Sequence, residues 1–319
     1  MIDTSYHNFD QVEIVLFAPA PAMRRTIREA LNSIGFRGIR DYLEIEQARE
    51  AIVTYNPDLL ICDLDRDQDT ICSIIDDIRH GNIGSNPFMV IMLLTWDPHV
   101  NAVNFAMQTG VDDIVMMPVS VHLLEQRIDK MINKRKRFVA TEDYVGPERR
   151  AYSSQEGEGA NGSNNFQVPN SLRHKATGDE TAAARKDVIE YATQLVTQHR
   201  LTELTTQVSA LATQAKNQAK NLNGNNNPAK TLIKVTRLLD QISSHVDAQG
   251  NDNLIILADS MHRVVDVIAQ SNKPAAGLWD ILVLSGQAMS AILWDRAGAS
   301  ELVITALDQA MAAISLEES

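Results

Sequence analysis

Asp63 and Thr95 are the side chains best placed to do chemistry. Asp63 closes the apolar run Leu59 to Cys62, and Thr95 closes the run Phe88 to Leu94. A carboxylate at a strand end can act as a nucleophile or base, and a hydroxyl can donate a hydrogen bond. Other groups also need an explanation: the cationic run Lys134-Arg135-Lys136-Arg137, the histidines His245 and His262, and the tryptophans Trp279 and Trp294. Cys62 and Cys72 lack C-x-x-C spacing and cannot build a zinc site by themselves. No Gly-rich phosphate loop, metal-ligand cluster or nucleophile elbow occurs.

The elements that position these residues follow from periodicity. Val12 to Phe17, Arg37 to Tyr42, Leu59 to Cys62, Phe88 to Leu94 and Val111 to Met116 read as strands. Between them Met23 to Ile34, Ile45 to Val53, Ile71 to Ile78, Val100 to Met107 and Val121 to Ile132 carry apolar residues at helical spacing. Continuous apolar strands alternating with helices predict an α/β fold, a five-stranded parallel doubly wound (flavodoxin-like) sheet covered on both faces. Chemistry in such sheets sits at the carboxyl ends of the strands, where Asp63 and Thr95 fall.

The expected organisation is a first domain over 1–138, a flexible linker over 139–178 and an all-α region over 179–319. The linker contains the polar runs Ser153–Ser154 and GEGANGSNN. It also has two denser islands, GPERR within 144–150 and PNSLR within 168–173, which either dock on a domain or stay solvated. A long helix is expected from about Thr181 to Leu222. Leu201, Leu204, Val208, Leu211, Ala215 and Leu222 repeat along it as a coiled-coil seam, an invitation to homodimerise through 201–222. Four shorter amphipathic segments follow, centred on Val235–Ile242, Leu254–Ile268, Leu278–Ile292 and Leu302–Ile314, and predict a helical bundle. Trp279 and Trp294 read as core or interface anchors.

The 319 residues carry a net charge of -12, which argues against wholesale attraction to DNA or an anionic membrane. The N-terminus lacks signal-peptide character, and no apolar run reaches the ~20 residues of a membrane span. Sparse cysteine fits a reducing compartment, so a cytoplasmic location is expected. The Lys134–Arg137 cations complement the negative end of the preceding helix dipole. The alternative is a small anion-binding patch extended by Arg149 and Arg150. No helix-turn-helix pattern follows, so no DNA-binding output is expected.

Several motifs together resemble a family. PDLLICDLD at 57–65, MVIMLLT at 89–95, GVDDIVMMPVS at 110–120 and PAMRRTIREALNSIGF at 21–36 resemble, in order and interval, the receiver (CheY-like) domain of bacterial two-component response regulators. The NPF and GPERR islands resemble receiver proteins of alphaproteobacterial type. The resemblance implies that Asp63 is the phosphoacceptor and Thr95 the hydroxyl that senses the phosphate. It also implies an acidic pair holding Mg²⁺ and a lysine before a proline, which together neutralise charge during phosphoryl transfer. Here the acidic pair falls on Ala18 and Pro19, the lysine on Met117, and a frequently aromatic fifth-strand position on Ile114. One lost electrostatic contact of this kind costs about 3 kcal/mol of transition-state stabilisation. Fast phosphotransfer to Asp63 is therefore not expected, unless Asp65 replaces a carboxylate and Arg66 or Arg24 a cation. Mg²⁺ enters only if Asp63 is phosphorylated.

The resulting expectation is a non-enzymatic signal-transduction protein of the two-component or phosphorelay type. A degenerate pseudo-receiver would serve as the docking module, and the helical region as a dimerisation or partner-binding output. The alternative is a true response regulator phosphorylated on Asp63. A third class, histidine phosphotransfer through His262, lacks the closely following Lys and Gly usual around such a histidine.

Overall fold

The five apolar runs form five parallel strands: β1 (Glu13–Phe17), β2 (Gly38–Tyr42), β3 (Leu59–Asp63), β4 (Val90–Thr95) and β5 (Asp113–Met116). This computed structural model describes residues 7–65, 67–97, 105–141, 144–149, 165–220, 228–246, 252–271, 274–293, 305, 306 and 312. The strand order is β2-β1-β3-β4-β5. The register sets Phe17 beside Cys62, Asp63 beside Leu94 and Thr95 beside Met116. Asp63 and Thr95 therefore finish neighbouring strands at the same edge of the sheet.

Alternation along each strand sends side chains to opposite faces. Leu16, Leu59, Ile61, Met92 and Leu94 pack on one face against α1 (Pro21–Ile34) and α4 (Val121–Asn133). Val15, Leu60, Cys62, Ile91 and Leu93 pack on the other against α2 (Ile45–Tyr55) and α3 (Gln68–Arg79). Caps fix two helix starts. The Asp67 carboxylate accepts from the Thr70 N–H at 3.3 Å, and the Ser120 hydroxyl from the Leu123 N–H at 3.2 Å. Of the helix expected over Val100 to Met107, only 105–108 is described, and it is helical.

The chain beyond Phe138 departs from the expected linker. β6 (Phe138–Ala140), β7 (Val145–Pro147) and β8 (Asn165–Phe166) form an antiparallel sheet in the order β7-β6-β8. α5 (Ser171–Thr177) and a 3-10 turn (Glu180–Ala182) follow. Phe138, Ala140, Val145, Phe166 and Val168 share a core with Phe88 and Ala192, while Leu172 and Ala176 join the core beneath α1 and α4. The first compact unit accordingly runs to Val196, past the boundary at 138. The physical reason is burial: the islands carry the apolar side chains that close one end of the unit. Residues 150–164, with Arg150, Ser153–Ser154 and most of GEGANGSNN, lie outside the described residues.

The second unit begins at Thr197. It contains the later turns of α6 (Lys186–Lys220), with α7 (Pro228–Val246), α8 (Asp252–Gln270) and α9 (Ala276–Leu293). Its core gathers Leu204, Val208, Leu239, Met261, Leu282 and Met289, with Trp279. Leu201, Leu204, Val208 and Ala215, the expected dimer seam, are buried in that same core, with Leu211 packed against it. The seam is thus covered from within the chain. Leu222, Trp294 and most of Leu302–Ile314 lie outside the described residues. α9 is long and apolar enough to cross a membrane, with mean hydropathy 1.4 over 18 residues, which the sequence reading missed. Leu278, Ile281, Leu282, Ala288 and Met289 of that helix are core residues of the unit.

Candidate functional site

β3 delivers Asp63 and β4 delivers Thr95, both nearly inaccessible at 3% and 1% exposure. The loop after β3 folds back over them. The Asp65 N–H donates to Asp63 Oδ1 at 3.2 Å, and the Leu64 N–H to the Leu94 carbonyl at 2.9 Å. This places the Asp65 carboxylate over the end of β4. The Thr95 hydroxyl donates to Asp65 Oδ1 at 2.5 Å, and the Trp96 N–H donates to Asp65 Oδ2 at 2.6 Å. Thr95 Oγ1 also accepts from the Asp97 N–H at 3.0 Å. The structure therefore brings Asp63, Asp65 and Thr95 together, with both Asp65 oxygens engaged by β4 and its extension.

Among the described residues, the positions of the expected acidic pair and lysine offer neither a side-chain oxygen nor a cation. Ala18 is fully buried, its N–H donating to the Tyr42 carbonyl at 3.2 Å. Pro19 offers no side-chain oxygen. Met117 is half-buried and packs on the core cluster that holds Leu94 and Val115. Arg24 donates to the Ala18 carbonyl at 2.8 Å and pairs with Asp41 at 3.2 Å, and Arg28 also pairs with Asp41. That guanidinium is committed away from the replacement role suggested for it. Arg66 lies outside the described residues. A Mg²⁺ site needs several oxygen ligands. Apolar groups at Ala18 and Pro19 and an Asp65 already held by Thr95 and Trp96 do not fit one. Beside Asp63, the Cys62 thiol is pushed far up by burial, then by the Asp63 charge. Cys72 is pushed up to about 11 by burial, then by Asp69. Neither thiol is a nucleophile at neutral pH.

A second polar cluster was not legible from sequence. Asp112, just before β5, is buried between two guanidinium groups: Arg79 at 3.0 Å, and Arg135 through Nε at 2.7 Å and Nη2 at 3.1 Å. Arg79 also donates to the carbonyls of Gly110, Pro87 and Met89, and Arg135 to those of Phe88 and Pro169. The Phe138 ring lies against both, its centroid 5.3 Å from the Arg79 guanidinium carbon and 5.0 Å from that of Arg135. Burial raises the Asp112 carboxyl, but Arg135 and Arg79 more than offset this and hold it below its ordinary value. Burial lowers Arg79 to about 10 against the opposing pull of Asp112. Arg149 donates to the Val111 carbonyl, and the Asn170 amide to the Met131 carbonyl at 2.9 Å. Arg135 and Arg149 are thus anchors for the NPF, GPERR and PNSLR islands rather than helix-end cations or patch members.

In the second unit, His262 Nε2 lies 3.1 Å from Asp240 Oδ1, and His262 Nδ1 lies 3.1 Å from the Ala258 carbonyl. His245 Nδ1 lies 2.6 Å from the Gln241 carbonyl. No group of three or more His, Cys, Asp and Glu suited to a metal occurs among the described residues.

No protein-family model matches the chain, and no curated protein matches it. Solved structures resemble its first part. A pilus assembly-related protein of Burkholderia pseudomallei K96243 is 15% identical, covers 37% of this chain and 87% of its own, and gives a TM-score of 0.33. A pilus assembly protein of Burkholderia thailandensis E264 gives 15%, 38%, 97% and 0.34. A response regulator receiver domain protein of Clostridium thermocellum gives 19%, 39%, 95% and 0.34. At such values the likeness is no more than a record, and the fold rests on the strand order, which is that of the CheY-type doubly wound sheet. The parallel sheet of the first unit has the flavodoxin-like arrangement found in receiver domains. A helical region follows it.

Proposed function

We propose that the protein is a non-enzymatic signalling protein of the two-component type, whose receiver unit docks a partner without being phosphorylated and whose helical unit is the output. One observation carries this reading. The Thr95 hydroxyl and the Trp96 N–H, the donors that would report a new phosphoryl oxygen, already donate to Asp65. An incoming phosphoryl group would have to displace an internal carboxylate, with neither a lysine at Met117 nor acidic ligands at Ala18 and Pro19 to compensate.

The output is a protein partner rather than DNA, as the net charge of -12 favours. Two free, buried thiols suit a cytoplasmic setting. The competing reading, phosphorylation on Asp63, is favoured by the retention of Asp63 and Thr95 on adjacent strand ends. Acetyl phosphate with Mg²⁺ separates the two. The intact chain should gain no phosphoryl group on Asp63 within minutes, as read by mass spectrometry under conditions that preserve a labile acyl phosphate. Rapid, stoichiometric incorporation that disappears in Asp63→Asn would overturn the proposal.

A further inference from the structure

The lysines at the end of α4 belong to neither cluster above. Arg135 turns inward onto Asp112, and Arg137 reaches Asn165 Oδ1 at 3.3 Å. Lys130, Lys134 and Lys136 instead border a concavity closed by Met131, Asp113 and Pro147, between α4 and the segment carrying β7. All three lysines are exposed, and none forms an ion pair among the described residues.

The nearby carboxylates are already engaged. Asp112 is held by Arg79 and Arg135, Asp113 pairs with Arg127 at 3.2 Å, and Glu148 Oε2 accepts from Asn165 at 3.0 Å. The Lys136 ammonium is pushed below its ordinary value by burial, then by the charges of Arg149 and Lys130, while Glu148 and Asp113 pull the other way. The negative end of α4 is equivalent to only about half an elementary charge. It cannot balance three ammonium groups, so the helix dipole does not account for this cluster. Asp113 and Glu148 offset part of this charge, but three lysines gathered at one concavity without an ion pair among the described residues, in a chain of net charge -12, mark a recognition feature rather than a general surface property.

We propose that this concavity binds a phosphate-type oxyanion through Lys130, Lys134 and Lys136. Its volume is about 30 Å³. That exceeds the roughly 10–15 Å³ one water requires and falls far short of the ~300 Å³ of a pocket that encloses a whole small molecule. The ligand therefore presents one anionic group, either as the free ion or at the end of a larger phosphomonoester. Lysine suits the task, because a point charge on a flexible stem adapts to a tetrahedral anion without fixed geometry.

The test is a titration of the full ¹⁵N-labelled chain with sodium phosphate, against sodium chloride at matched ionic strength, read by NMR. Saturable shifts at the Lys134 and Lys136 amides are expected with phosphate and not with chloride. Each Lys→Ala replacement should weaken the apparent affinity roughly two- to fivefold, as exposed ion pairs do, while Lys136→Arg should retain it. Equal shifts with chloride, or an unchanged phosphate titration in the triple Lys→Ala variant, would overturn the proposal. Phenyl phosphate supplies the second arm. Shifts as strong as those of inorganic phosphate assign the site to an anion carried on a larger molecule, and their loss assigns it to the free ion.

Discussion

Asp112 accepts from the Ile91 N–H at 2.9 Å as well as from two guanidinium groups, so its charge organises more of the first unit than any other carboxylate described. Replacing it with asparagine leaves the fully buried Arg79 without its counter-charge. Breaking a buried pair in this way costs about 3–5 kcal/mol, and Asp112→Asn should lower urea stability at pH 7 by that amount. The pH dependence has a definite sign. A carboxyl whose folded pKa is depressed contributes stability in full above its unfolded value near ~3.9 and loses it as pH falls through the folded value. The gap between wild type and Asp112→Asn, measured by urea titration, should therefore be largest near neutrality and narrow below about pH 4. A gap of constant size down to acid pH would show that the charge is not what matters. Asp63 and Thr95 were legible in the sequence because a polar residue ending an unbroken apolar run stands out. Asp112, Arg79 and Arg135 were not. They come from three separate segments and meet only in the folded chain, and Arg135 already had a local explanation at the end of its helix.

Among the elements, the short strands after Phe138 change the definition of the receiver unit most. β6 and β7 have three residues each and β8 has two, too few for alternation to be read. The contribution of the segment they open, which continues into α5, is nevertheless large. Leu172 is fully buried, Lys175 pairs with the buried Asp58 at 2.7 Å, and the Asn8 N–H donates to the Ala176 carbonyl at 2.9 Å. Losing one buried leucine contact alone costs about 2–5 kcal/mol. A fragment ending at Phe138 should therefore be several kcal/mol less stable than one ending at Ala183, a difference readable from their urea midpoints. Equal midpoints would return the segment to the status of a linker. The sheet strands and the amphipathic helices, by contrast, were legible because each repeats its pattern over whole turns or whole strands.

At the scale of the whole molecule, the second unit shows that an apolar pattern does not name its neighbour. The spacing of Leu201, Leu204 and Val208 marks an apolar stripe, but a stripe does not say whether another chain or the same chain covers it. Leu204 has no exposure and shares its core with Leu239, Met261 and Leu282. Leu204→Glu would bury a charge with no partner, a large penalty. The variant should lose helical circular dichroism cooperatively at a lower temperature, with its monomer–dimer balance unchanged before melting. A dimer that falls apart while helicity persists would instead restore the intermolecular seam.

Gly110 and Gly146 touch across the first unit: a Cβ on Gly110, at φ +91, would come 2.3 Å from the Val145 carbonyl, and one on Gly146 would come 2.5 Å from the Gly110 Cα. Neither position has room for even a methyl group while the other segment stays in place. In hereditary terms, the two glycines make the stretch from 110 to 146 a single unit of inheritance. A recombination event with its breakpoint near Phe138 would join one partner's Gly110 to a stranger's loop, although that point resembles a domain boundary. The workable crossover points lie beyond Val196, where the first compact unit ends.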